Sequence, residues 1–154
     1  MRIYLVQHGQ AKSEDIDPDR HLTEKGIADV KKISCFLKGA ALGVDVIWHS
    51  GKARAAQTAE ILSQSVVAAQ GSFQHKGLSP NDDVKPIKDE LLRSGKDVMI
   101  VGHLPFLSKL SSLLLTGSDS NNIVAFQQGG VVCLEQNENI LWQLRWMVVP
   151  DLLP

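Results

Sequence analysis

The chain has 154 residues, 44% of them hydrophobic, which suits one domain (1–154) with a buried core. A formal net charge of −1 and the lack of any Lys/Arg block give no electrostatic case for a nucleic-acid partner. No apolar run approaches membrane-spanning length, and the apolar stretch behind Arg2 is too short for a signal-peptide core; the expectation is a cytoplasmic protein with no membrane partner.

Met1 to Val6 reads as a strand, because Ile3, Tyr4, Leu5 and Val6 are β-branched, aromatic or aliphatic and Gly9 punctuates the end. Residues 10–22 are polar and acidic and contain Pro18, which reads as a loop. Thr23 is a candidate N-cap for a helix over about 24–38, with Ile27, Val30, Ile33 and Leu37 as its buried stripe. Val44 to Trp48 reads as a second strand. Ser50-Gly51 then opens a helix over roughly 52–67, through Ala55, Ala59, Leu62 and Val66. Residues 69–81 read as irregular, with a short strand around 72–75. A third helix is expected over 82–93, with Ile87, Leu91 and Leu92 inward and Ser94-Gly95 ending it.

Asp97 to Val101 is the near-continuous apolar run of a strand covered on both faces. Pro105 suits the first turn of a helix through Phe106, Leu110, Leu113 and Leu114. After a polar loop at 116–122, Val131 to Leu134 and Ile140 to Trp146 read as two strands joined by a turn at 136–139. The alternation predicts an α/β three-layer sandwich. Its central sheet is mostly parallel, with an antiparallel strand near the C-terminus and helices on both faces. Cys35 and Cys133 lack CxxC spacing and lie in apolar patterns, so both read as buried free thiols.

Four segments place polar groups just behind predicted strands: Gln7-His8, His49-Ser50, the loop before Asp83, and Gly102-His103. In an open α/β sheet such ends converge on one edge. There His8 can act as a nucleophile toward phosphorus, and the small Gly9 leaves backbone N–H groups free for phosphate oxygens. One such histidine alone reads equally well as a polar loop residue. Two of them together with Arg54 point to a site. Arg54 lies near the start of the second helix, and its planar fork suits bidentate contact with a phosphate. The plain alternative is a solvated first-turn arginine. His21 and His75 sit in polar loops and carry no further signal, and no Asp/His metal-ligand spacing stands out.

Gln7-His8-Gly9 resembles the Arg-His-Gly signature of the histidine phosphatase superfamily, with Gln7 standing where that family has arginine. Further elements resemble the family in order. They are Leu22-Thr23-x-x-Gly26, Ser50 with Arg54-Ala55-x-Gln57-Thr58, Leu78-x-Pro80-x-x-Asp83, and Val101-Gly102-His103-x-Pro105. The match runs over most of the chain, and the short length is similar to the SixA-type phosphohistidine phosphatase branch, whereas larger phosphoglycerate mutase-like relatives carry insertions. The resemblance implies a metal-independent hydrolase with no cofactor. In it His8 is the nucleophile and is transiently phosphorylated; Arg54 and His103 hold the phosphoryl oxygens, with Gln7 and Gly9 in the binding set. It implies a phosphorylated protein as partner, a histidine-containing phosphotransfer domain of a signalling system. Asp83 matches the family's aspartate and is a candidate general acid, though it reads more readily as an acidic residue starting its helix.

Gln7 offers a neutral donor in place of a cation. That forfeits roughly 1–2 kcal/mol, about 5- to 30-fold, and on the order of 10³ or more if the charge acts mainly in the transition state. The chain therefore also reads as a weak or inactive relative serving as a phosphate- or phosphoprotein-binding module. A third reading is a small-molecule phosphatase. Arg20 and Lys52 are nearby cations able to compensate, and each also reads as a solvated surface residue. His49 either lines the pocket or merely ends its strand.

Overall fold

In chain order the residues form β1 (Arg2–Gln7), α1 (Glu24–Gly39), β2 (Gly43–Val44), β3 (Val46–His49), α2 (Ala53–Ser63) and β4 (Val67–Ala68). There follow β5 (Ser72–Gln74), α3 (Lys85–Ser94), β6 (Val98–Gly102), α4 (Phe106–Thr116), β7 (Val131–Gln136), β8 (Trp142–Val148) and a 3-10 turn (Pro150–Leu152). The structure is a computed structural model describing residues 1–154. Six strands make one sheet of order β5-β3-β6-β1-β7-β8. β5, β3, β6 and β1 are parallel, while β7 runs antiparallel to β1, and β8 to β7.

Alternation along the strands sends side chains to opposite layers. Ile3, Leu5, Val98 and Ile100 pack with Ile87 and Leu91 of α3 and Phe106 and Leu110 of α4. Tyr4, Val6, Met99 and Val101 pack with Val30, Ile33 and Leu37 of α1 and Ala55, Ala59 and Leu62 of α2. The three-layer α/β sandwich expected from the sequence is what forms. All five residues of β6 are buried, which is why its sequence lacks polar alternation.

Several boundaries differ from expectation. The helix expected over 52–67 stops at Ser63, because Val67-Ala68 pairs in parallel with Gly43-Val44 as a separate two-stranded sheet. β-Branched Val66 and Val67 favour that extended path. The third helix begins at Lys85, not at Asp82, and Leu92 faces out, 39% exposed. β8 begins at Trp142: Asn137 Oδ1 accepts the N–H groups of Asn139 and Leu141, which holds Ile140 and Leu141 in the turn. Cys133 is buried as expected, but Cys35 is exposed, since the buried stripe of α1 runs through Ile33, Ser34 and Leu37 and leaves position 35 outside.

The topology also fixes where chemistry can sit. β1, β6 and β3 are adjacent and parallel, with Gln7 opposite Gly102 and Val101 opposite His49. Their carboxyl ends therefore deliver His8, His103 and Ser50 to one edge.

Candidate active site

The floor of the site is built by the strand ends. His8 is 7% exposed, and its Nδ1 lies 2.7 Å from the Gly9 carbonyl oxygen. A carbonyl only accepts, so Nδ1 carries the hydrogen and Nε2 keeps its lone pair. Burial lowers the pKa of His8, the Gly9 carbonyl pulls it back up, and the charges of Arg54 and Arg20 lower it further. The ring is therefore neutral at neutral pH and nucleophilic through Nε2. His103 faces it with ring centroids 5.1 Å apart and planes tilted by 53°. Its Nε2 is 2.6 Å from Ser50 Oγ, and its pKa is pushed down to about 3 by burial first, then by His8, Arg54, Lys52 and Arg20.

Side chains that matched the family pattern bolt this floor to the helices. The Gly9 N–H donates to Thr58 Oγ1 at 3.0 Å, and that hydroxyl donates to the Arg54 carbonyl at 2.8 Å. Thr58 thus ties the loop that carries His8 to the first turn of α2, where Arg54 sits. The Leu22 N–H donates to Gln57 Oε1 at 2.7 Å. Thr23 caps α1 by accepting the Gly26 N–H at 2.9 Å and donates to Gln10 Oε1 at 2.8 Å. Gly26 lets the loop lie against the helix: a Cβ there would meet the Gln10 carbonyl oxygen at 2.2 Å.

Contrary to expectation, the Gly9 N–H is not free for phosphate, because Thr58 takes it. The smallness of Gly9 serves close packing instead, since a Cβ would stand 2.8 Å from Val30 Cγ2 and 3.1 Å from the Gly26 carbonyl oxygen.

The mouth is a cavity of about 410 Å³ lined by Glu14, Pro18, Asp19, Arg20, His21, Lys52, Ala53 and Arg54. Arg54 joins mouth to floor. Burial lowers its pKa, Arg20 adds to the lowering and Glu14 opposes it, and it remains a cation. Three buried side-chain polar atoms lack partners: Gln7 Oε1, Arg54 Nε and His103 Nδ1. All three belong to residues of the expected site. Buried polar groups are normally paired, so their concentration in these residues marks a place organised for a polar ligand.

The other candidates fall outside this arrangement. Asp83 is exposed, and its Oδ1 accepts the Lys85 N–H at 3.0 Å at the entry to α3; it makes no hydrogen bond to His8 or His103. His49 Nδ1 accepts the Gly51 N–H at 3.1 Å, which shapes the turn into α2. His75 stacks on Trp48 with centroids 4.1 Å apart and bonds Glu90 at 2.9 Å, a structural role that no sequence signal announced. Asp17, Asp19 and His21 bring ligand-type atoms within 4.8 Å of one another, a spacing the sequence reading passed over. Both carboxylate oxygens of Asp17 are already engaged by loop N–H groups. Ser50, noted only as a motif position, turns out to be the hydrogen-bond partner of His103.

Residues 3–71 match the family described as the histidine phosphatase superfamily (branch 1). Among curated proteins, none matches the sequence. Solved structures match nearly end to end. The protein histidine phosphatase SixA complexed with tungstate superposes with a TM-score of 0.85 at 21% identity, covering 98% of each chain. A SixA-named protein from Agrobacterium tumefaciens gives 0.77 at 22% identity, covering 97% of each chain. The α-ribazole phosphatase from Shigella flexneri gives 0.79 at 16% identity, again over 97% of each chain. The fold is the one these phosphatases share. No helix is long and apolar enough to cross a membrane.

Proposed function

We propose that this chain, whose residues 3–71 match the histidine phosphatase superfamily (branch 1), is a SixA-type phosphohistidine phosphatase working through a phospho-His8 intermediate. One observation carries this reading: the Gly9 carbonyl holds Nδ1 of His8, which leaves Nε2 as the free nucleophilic atom of a neutral ring beside Arg54 and His103. Nε2 attacks phosphorus, and the substrate's N–P bond breaks with its electron pair passing to the departing imidazole. Water then attacks the phosphoryl group, the bond to Nε2 breaks, inorganic phosphate leaves and His8 is restored. Charge on the phosphoryl oxygens is met by the Arg54 guanidinium and by the donors of Gln7 and His103. The fixed cation stands where other phosphoryl-transfer sites use a metal ion.

The leaving group decides the substrate class. An imidazole titrates near neutral pH and can leave already protonated, whereas an alkoxide needs a proton supplied in the transition state. His103 is held neutral, and Asp83 is turned to the Lys85 amide, so neither of these two residues stands as a ready acid beside His8. That supports a phosphoramidate on a protein histidine over a sugar phosphate. The partner is then a histidine-containing phosphotransfer domain, and the tungstate bound by the similar SixA protein is a tetrahedral oxyanion of the same class as phosphate. The neutral Gln7 amide beside His8, where a cation would stabilise the transition state, favours a second reading, a phosphate-binding module with little turnover.

Release of label from a phosphorylated histidine-containing domain separates the two. The phosphatase reading expects release at least 100-fold above the His8→Ala variant, and slower hydrolysis of sugar phosphates. Phosphate binding without release above that control would leave the module.

A further inference from the structure

We propose that Arg20 supplies the phosphate-binding charge that Gln7 does not, reaching the phosphoryl group from the loop side of the cavity it shares with Arg54, and that Asp17 is the positioning residue that holds it there. The inference rests on reading that cavity as the phosphoryl site. Arg20 and Arg54 line one cavity, although they come from elements far apart in sequence. Of the Arg20 guanidinium only Nε is engaged within the chain, donating to the Lys12 carbonyl at 3.1 Å, which leaves the two Nη groups for a ligand.

The loop is built to hold this residue. Arg20 has φ of +54°, a left-handed conformation that a non-glycine residue keeps only where its surroundings impose it. Asp17 imposes it. Its Oδ1 accepts the Asp19 N–H at 3.1 Å, its Oδ2 accepts the His21 N–H at 2.9 Å and meets His21 Nδ1 at 2.8 Å, and its carbonyl accepts the Arg20 N–H at 2.9 Å. Arg20 is thus pinned between two residues that share one carboxylate. The bonds from His21, then those from Asp19, hold the Asp17 pKa down at about 2, so the clamp is ionised throughout the working range.

Lys52 lines the same cavity and is the obvious competitor. The charge of Arg20 bears on His8, Arg54 and His103, whereas that of Lys52 bears on His103 alone among the three, though more strongly there than Arg20 does. Arg20 also has the planar fork for two phosphoryl oxygens, which an ammonium lacks.

The experiment is calorimetric titration with inorganic phosphate, run beside label release from the phosphorylated domain. Arg20→Gln is expected to weaken phosphate binding about tenfold or more and to lower kcat/KM by roughly 10². Gln7→Arg placed in the same chain should restore both to within about threefold, which also shows that the variant folds. Lys52→Gln should change either by less than about threefold. Asp17→Asn should lose phosphate affinity in the same direction as Arg20→Gln, and adding Asp17→Asn to Arg20→Gln should cost no more. Arg20→Gln that keeps both affinity and rate overturns the proposal. So does a loss that Gln7→Arg does not restore, or an equal loss from Lys52→Gln, which would mean only a diffuse field. If the unaltered chain binds phosphate but releases no label, the phosphatase reading fails, and the affinity series alone still decides the role of Arg20.

Discussion

The floor and the mouth of this site are made differently. The floor, His8 with His103 and Ser50, hangs on the ends of three adjacent parallel strands; both histidines are buried, and each ring has one nitrogen held by a neighbour. The mouth, Arg20, Lys52, Glu14 and Asp19, sits on a loop and a helix start and is open to solvent. On the proposed reading a buried floor fixes which atom would attack and keeps it neutral, and a change there disturbs sheet packing. A solvated mouth supplies charge, and charge can enter from more than one direction. On the proposed reading, that difference lets Gln7 stand where the family signature has arginine with the setting of His8 untouched. Arg54 belongs to both regions, and Thr58 couples them.

The largest effect that would sharpen this contrast is expected at Arg54. Arg54→Ala should cut kcat/KM for the phosphorylated domain by about 10² to 10³. It should do so without lowering the urea midpoint, because its guanidinium makes no hydrogen bond within the protein at Nε. A loss under tenfold would mean that the mouth does not share in the chemistry. Thr58→Val tests the coupling. It keeps shape but strands the buried Gly9 N–H, and should destabilise the fold by about 1–3 kcal/mol, read as a lowered denaturation midpoint at unchanged m. An unchanged midpoint would show that floor and mouth are held by other contacts.

The smallest effect is a near-absence of titration. Nuclear magnetic resonance of the histidine rings should find His8 and His103 still neutral as pH falls through 6.5, with His103 protonating only near 3. The sign follows from burial: the unfolded chain takes up these protons near 6.5 and the folded chain does not, so stability is full above 6.5 and declines as pH falls toward 3. Ordinary titration near 6.5 would show that the floor is wet, like the mouth.

Much of this was legible in the sequence, for identifiable reasons. The apolar run at 97–101 and the Thr23 cap are local signals, and both elements stand where expected. The convergence of His8, Arg54 and His103 follows from strand-end placement in a parallel sheet. What sequence could not give was which atoms were already in use. Gly9 has the composition of a phosphate loop, yet Thr58, 49 residues away, takes its N–H. Asp83 matched a family aspartate, yet its carboxylate turns to Lys85. Arg20 looked like any loop arginine until the hydrogen bonds of Asp17 showed how the loop is set. Each of these depends on long-range or turn geometry that no periodicity encodes.

The central claim is that Nε2 of His8 becomes a phosphoryl acceptor. Rapid-quench mixing with a labelled phosphohistidine domain, followed by peptide mapping under alkaline conditions, tests it directly. Label is expected on His8 within the first turnover, bound through Nε2, and none in His8→Ala. Label leaving the substrate as free phosphate with His8 never modified would contradict it.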